Sequence, residues 1–176
     1  MEKEKNNSKR GFTLLELLVV ILIIGILAAI AFPKYQMAVT KAKVASVLPI
    51  MRRWKDALQE YKLKYGDYQV EDYSAVDANW PSDWSDGHCG NNTECYTDYW
   101  YSCMANQEEQ GEVYCQRNIN DGADTFVINI YQPDDPDEEN FRNKVICTAD
   151  GNEGHKVCKA LGGRPIDGDD SAYELY

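Results

Sequence analysis

The chain is poor in the residues that most catalytic and metal sites need. Its 176 residues include two histidines, His88 and His155, and no Gly-x-Ser-x-Gly, phosphate-binding Walker loop or His-Glu-x-x-His. Two histidines with no nucleophile beside them make no triad, so no enzymatic activity is expected. No Cys-x-x-Cys pair occurs either, which with so little histidine argues against zinc. Cysteine is missing altogether before Cys89. Basic residues are scarce over the last two thirds: six stand against twenty-four acidic ones from Tyr65 to Tyr176, and such a surface repels a phosphate backbone. Long apolar runs are also few. There is one.

That run, Leu17 to Phe32, follows Lys9-Arg10-Gly11-Phe12-Thr13-Leu14-Leu15-Glu16. From Phe12 to Phe32 only Thr13, Glu16 and Gly25 interrupt the apolar character. At ~1.5 Å per helical residue the segment spans a hydrocarbon core of about 30 Å. A carboxylate near the end of such a span is unfavourable by roughly 2–3 kcal/mol or more, so Glu16 is expected to have a function and a partner. The nearest partner is an α-amino group, which exists at Phe12 only if the chain is cut after Gly11. Lys9 and Arg10 precede the span and hold the N-terminus in the cytoplasm, with the remainder outside it.

Lys-Arg-Gly11, Phe12-Thr-Leu-Leu-Glu16 and the apolar run after them resemble the class III signal peptide of type IV pilins and their pseudopilin relatives. The resemblance covers about Lys9 to Tyr35. It implies a leader, residues 1–11, removed by a prepilin peptidase that also methylates Phe12. It also implies that Glu16 of one subunit neutralises the Phe12 amine of a neighbour in the filament. Removing one partner of such a pair leaves the other buried and unpaired. A monomeric anchor, by this reasoning, has no use for an acid at that depth. Gly25 and Pro33 match, in spacing, the glycine and proline that bracket a segment able to melt when pilin subunits pack; a simple kink is the alternative reading.

Beyond Pro33, apolar residues from Tyr35 through Val47, Met51 and Trp54 to Tyr65 recur every three or four positions, predicting a helix with one apolar face and a basic opposite face. One helix from about Thr13 to Tyr65 is expected, bent at Pro49 and capped at Gly66. Residues 12–33 make its membrane-spanning and filament-core half, and 34–65 its amphipathic half. Residues 66–176 form a head with a long loop, three or four strands and a C-terminal loop. Strand patterns lie at Glu112–Ile119, Thr125–Gln132 and Asn143–Ala149, with a further short one within Tyr96–Met104. Asn120-Asp121-Gly122 reads as a hairpin turn, and His155–Leu161 as a helical turn. An antiparallel sheet across the second half of a long helix is an α+β architecture, and the resemblance implies the pilin fold.

The six cysteines, Cys89, Cys95, Cys103, Cys115, Cys147 and Cys158, all fall in the head, outside the cytoplasm, and read as disulfides. Fifteen connectivities are open. Sequential closure is the expectation, with Cys147–Cys158 first, because it ties the C-terminal segment to the last strand, then Cys89–Cys95 and Cys103–Cys115.

Charge is divided. Pro33 to Lys64 carries eight basic residues against Asp56 and Glu60, whereas the head is acidic. A basic stem and an acidic head attract one another between subunits, or simply keep an exposed polymer soluble. Two acidic clusters, Asp134, Asp135, Asp137, Glu138, Glu139 and Asp167, Asp169, Asp170, offer oxygen ligands for calcium but lack EF-hand spacing. Solvated loops are the expectation, with no cofactor. Lys144, Lys156, Lys159 and Arg164 are the candidates for a nucleic-acid patch, which is not expected. Trp80, Trp84 and Trp100 are candidates for contact with surfaces or glycans, or for core, and Trp100 is expected in the core.

The reading is a structural subunit of a type IV filament, held in the inner membrane before assembly and outside the cell afterwards. Its expected partners are copies of itself, the processing peptidase and the assembly platform. The alternatives are a pseudopilin of a secretion system and an anchored envelope adhesin or receptor that never polymerises.

Overall fold

The computed structural model describes residues 12–68, 70, 75–89, 93–97, 101–105, 111–117, 126–135 and 139–175, with side chains throughout except at 85–89, 93–95 and 97. By compactness the chain divides into Met1–Ala38 and Val39–Tyr176.

Helix α1 is assigned over Leu14–Tyr65 without a break. In the first unit its residues from Leu17 to Phe32 are apolar all round and exposed, Leu27 at 62%. The backbone stays helical at Gly25 and Pro33. In the second unit the backbone is also helical at Pro49, although proline removes one hydrogen bond there. It buries Thr40, Val44, Val47, Met51, Trp54, Ala57 and Leu58, a stripe at the three- and four-residue spacing that puts side chains on one helical face. Gly66 ends the helix: its φ of +102° is left-handed, and its N–H donates to the Lys62 carbonyl at 2.8 Å.

The head sheet is larger than three or four strands. Among the described residues, eight antiparallel strands lie in the order β1-β2-β3-β4-β5-β6-β8-β7. They are β1 (Ser85–Cys89), β2 (Thr93–Thr97), β3 (Tyr101–Ala105), β4 (Val113–Arg117), β5 (Phe126–Ile130), β6 (Val145–Ala149), β7 (Arg164–Ile166) and β8 (Asp169–Leu175). The aromatic stretch 96–104 is split between β2 and β3, which pair Tyr96 opposite Cys103. The segment expected to be a C-terminal loop contains the β7–β8 hairpin, and β8 returns to pair with β6. Helix α2 (Gly151–Ala160) fills the connection and is longer than a single turn.

Alternation along β5, Phe126, Ile128 and Ile130 in and Val127 and Asn129 half-buried, sets the core face. Residues opposite Ile128 across the sheet are Cys115 and Cys147, both fully buried. Ile130, Val145 and Leu175 line a cleft with Arg52, Lys55 and Asp56, so this face meets α1. The other face carries a second apolar cluster of Tyr131, Ile146 and Ala172, with Phe141 and Ile166 packed on it.

Gly111 shows why backbone freedom matters at one point. Its φ is +91°, and an added Cβ would stand 2.6 Å from the Tyr68 ring and 3.1 Å from Gln132. The loop after α1 therefore closes against the strand that begins at Val113. The hairpin turn read at Asn120–Gly122 and the core position of Trp100 lie outside the described residues.

Candidate functional site

The N-terminus of α1 carries a feature that the charge argument alone missed. Thr13 precedes the helix, and its Oγ1 accepts the Glu16 backbone N–H at 3.2 Å. In return Glu16 Oε2 accepts both the Thr13 N–H and the Thr13 hydroxyl, each at 2.8 Å. This reciprocal arrangement, threonine before the first turn and glutamate three residues on, is a capping box. It satisfies two N–H groups that a helix start leaves without partners, which matters most where no water reaches. The sequence signal was present as Thr-x-x-Glu. Glu16 thus has a use within one subunit, and its presence does not by itself separate a polymer from a monomeric anchor. Phe12 lies directly before the box; Gly11, on the other side of the expected cut, is outside the described residues.

In the head, Cys103 joins Cys115 between directly opposed positions of β3 and β4. Cys147 joins Cys158, fastening α2 to β6. Cys89 and Cys95 belong to β1 and β2, but their side chains lie outside the described residues.

Three polar contacts fix the second half of α1 to the sheet and its loops. Gln132, fully buried, donates through Nε2 to the carbonyls of Lys55 at 3.1 Å and Gly111 at 3.0 Å. Lys55 Nζ donates to Asn143 Oδ1 at 2.8 Å, and Asn143 holds a left-handed φ of 57°. Lys62 pairs with Asp134, whose other oxygen accepts the Tyr68 hydroxyl at 2.6 Å. Hydrogen bonds from Lys62, then from Tyr68, hold the Asp134 carboxyl below its usual range. Burial and the neighbouring carboxylate push the Tyr68 phenol up, so it stays protonated as a donor.

The first acidic cluster is therefore partly spent on internal contacts. The Asp135 carbonyl accepts from Arg142 Nε, and Glu139 lies 3.7 Å from Arg142; Asp137 and Glu138 are outside the described residues. In the second cluster Asp169 accepts the Ser171 hydroxyl at 2.7 Å and its N–H at 2.8 Å, which lowers its pKa. Among the described residues no three histidine, cysteine, aspartate or glutamate side chains converge on one point. The basic candidates are also engaged: Lys144 pairs with Glu174 at 3.3 Å, Lys156 with Glu153, and Lys159 Nζ stands 6.0 Å above the Tyr173 ring.

Comparison with known proteins agrees with the N-terminal geometry. The prokaryotic N-terminal methylation motif matches residues 6–32. A type IV major pilin protein, PilE1 of Neisseria gonorrhoeae, is 42% identical over 78 residues, 44% of this chain and 47% of that one. A fimbrial protein of Neisseria meningitidis serogroup A is 41% identical over 70 residues, 40% of this chain and 41% of its own. Fimbrial protein Q of Moraxella bovis is 48% identical over 52 residues, 30% of this chain and 33% of its own. The chain spans less than half the length of these curated relatives. No solved structure matches it significantly. Through this methylation motif and these relatives the N-terminal part of the chain is similar to type IV pilins, and among the described residues the remainder holds an antiparallel sheet with two disulfides.

Proposed function

We propose that this chain is a structural subunit of a type IV pilus-like filament, cut after Gly11, N-methylated at Phe12 and polymerised through its N-terminal helix. One observation carries the reading: the most apolar stretch of α1 is long enough to cross a membrane, and none of it is buried within the subunit. Each leucine or isoleucine there stands to gain roughly 1.5–3 kcal/mol from leaving water. Lipid supplies that environment before assembly, and copies of the same helix supply it afterwards. The peptidase, the inner-membrane platform and the extracellular polymer follow from this reading.

The capping box favours a second reading, an anchored protein or secretion pseudopilin in which Glu16 only starts the helix. Intact mass of the chain from membranes, with the peptidase present and with Gly11→Val, tests the first step. A chain beginning at methylated Phe12 in wild type, and a full-length one in the variant, is expected. Wild type retaining residues 1–11 contradicts the proposal.

A further inference from the structure

The loop after α1 carries a second candidate site, unrelated to assembly. Trp80 is the centre of an aromatic stack: its ring lies 5.0 Å from Trp54, 5.6 Å from Trp84 and 5.3 Å from Tyr96. The interplanar angles are 23°, 16° and 20°, so the rings are nearly parallel. Trp54, buried on α1, is the floor, whereas Trp80, Trp84 and Tyr96 are half-buried. A turn, in which the Trp84 N–H donates to the Pro81 carbonyl at 3.0 Å, holds the two loop indoles on one side. Together they border an open cleft of roughly 330 Å³, near the small end of the about 300–1,000 Å³ usual for ligand sites.

The cleft has few but well-suited polar groups. Its lining includes the Asn79 amide and the Ser82 hydroxyl, both exposed, and no charged side chain. Flat aromatic walls with an amide and a hydroxyl at the rim match the chemistry of a sugar ring, whose C–H face is apolar and whose edge is hydroxylated. A quaternary ammonium is less well served, because a cation cage needs rings turned towards a common centre, and here they lie parallel. Exposed Asp77 and Asp83 flank the lining residues in the chain, on a head whose net charge is strongly negative. Anionic sugars are disfavoured by that field.

We infer that the Trp80–Trp84–Tyr96 cleft is a binding site for one or two rings of an uncharged glycan, stacked on Trp84 and hydrogen-bonded to Asn79 and Ser82. The full chain in detergent, titrated with chitotriose and cellotriose and followed by tryptophan fluorescence and saturation-transfer NMR, tests it. At least one of these sugars binds saturably, with a Kd on the order of 1 mM, while 3′-sialyllactose binds at least tenfold more weakly. Ser82→Arg, a change at an exposed position that fills the cleft without removing packing, abolishes binding and leaves the circular dichroism unchanged. Trp84→Ala weakens binding at least tenfold, and Trp84→Phe restores most of it. No binding of either sugar, binding untouched by Ser82→Arg, or binding of choline in place of sugar overturns the inference.

Discussion

Two carboxylates show how much a single residue's surroundings decide. Asp134 is half exposed, at 50%, yet it receives both Lys62 and Tyr68. Its folded pKa lies below the unfolded value. The contribution is therefore fully present above about pH 4, and is lost as pH falls through the depressed folded value. Solvent screening keeps it small. Asp134→Asn should lower the thermal midpoint at neutral pH and flatten its acid dependence below about pH 4, with both curves meeting at the acid end. A variant as acid-sensitive as wild type contradicts this. Glu16 is the other case. Thr13→Val keeps its size and loses the hydroxyl, so the helix start should weaken by about 1 kcal/mol. Amide exchange at Glu16 in detergent micelles should then quicken roughly fivefold, and an unchanged rate would mean that the capping box does not hold the helix start. The Thr-x-x-Glu pattern was legible in the sequence; charge and burial drew attention to the acid and away from its local partner.

At the level of elements, the disulfides and the sheet differ in how far sequence reveals them. Helix α1 was legible to within a residue because an apolar run of membrane-spanning length, a three- and four-residue period beyond Pro33 and a terminal glycine all agree. Strand β5 was legible from its alternation. Strands β1 and β2 were not: Ser-Asp-Gly-His-Cys and Thr-Glu-Cys-Tyr-Thr alternate nothing, and their pairing is decided by backbone hydrogen bonds to each other. β8 hid for a related reason, since its acidic start masks the buried Ala172, Tyr173 and Leu175. The two described bridges close loops of similar length, with separations of 12 and 11 residues. Chain entropy therefore assigns each about 3 kcal/mol. Their local consequences should differ. Cys147→Ser with Cys158→Ser frees α2, while Cys103→Ser with Cys115→Ser leaves a pair of strands still hydrogen-bonded. Hydrogen exchange should show α2 losing protection in the first variant only; no loss in either would mean that α2 is held by its packing alone.

Across the whole molecule, one segment is built for an environment that the subunit does not provide, and the other is a self-sufficient disulfide-tied head. The head's core, polar latches and bridges need no second copy. The apolar helix does, or else it needs lipid. Charge is divided within the second unit instead, with basic residues on the second half of α1 and acidic residues predominating after Tyr65. Because glutamine as well as glutamate completes a capping box, Glu16→Gln keeps the helix start and removes only the charge. The most direct test is to shear cells that have an intact processing peptidase and to identify the released chain by mass, for wild type and for Glu16→Gln. The account predicts that wild type is released as a chain beginning at methylated Phe12, while the variant is processed but remains in the membrane fraction. Equal release of both would show that the charge of Glu16 is not what joins subunits, and that its role ends at the capping box.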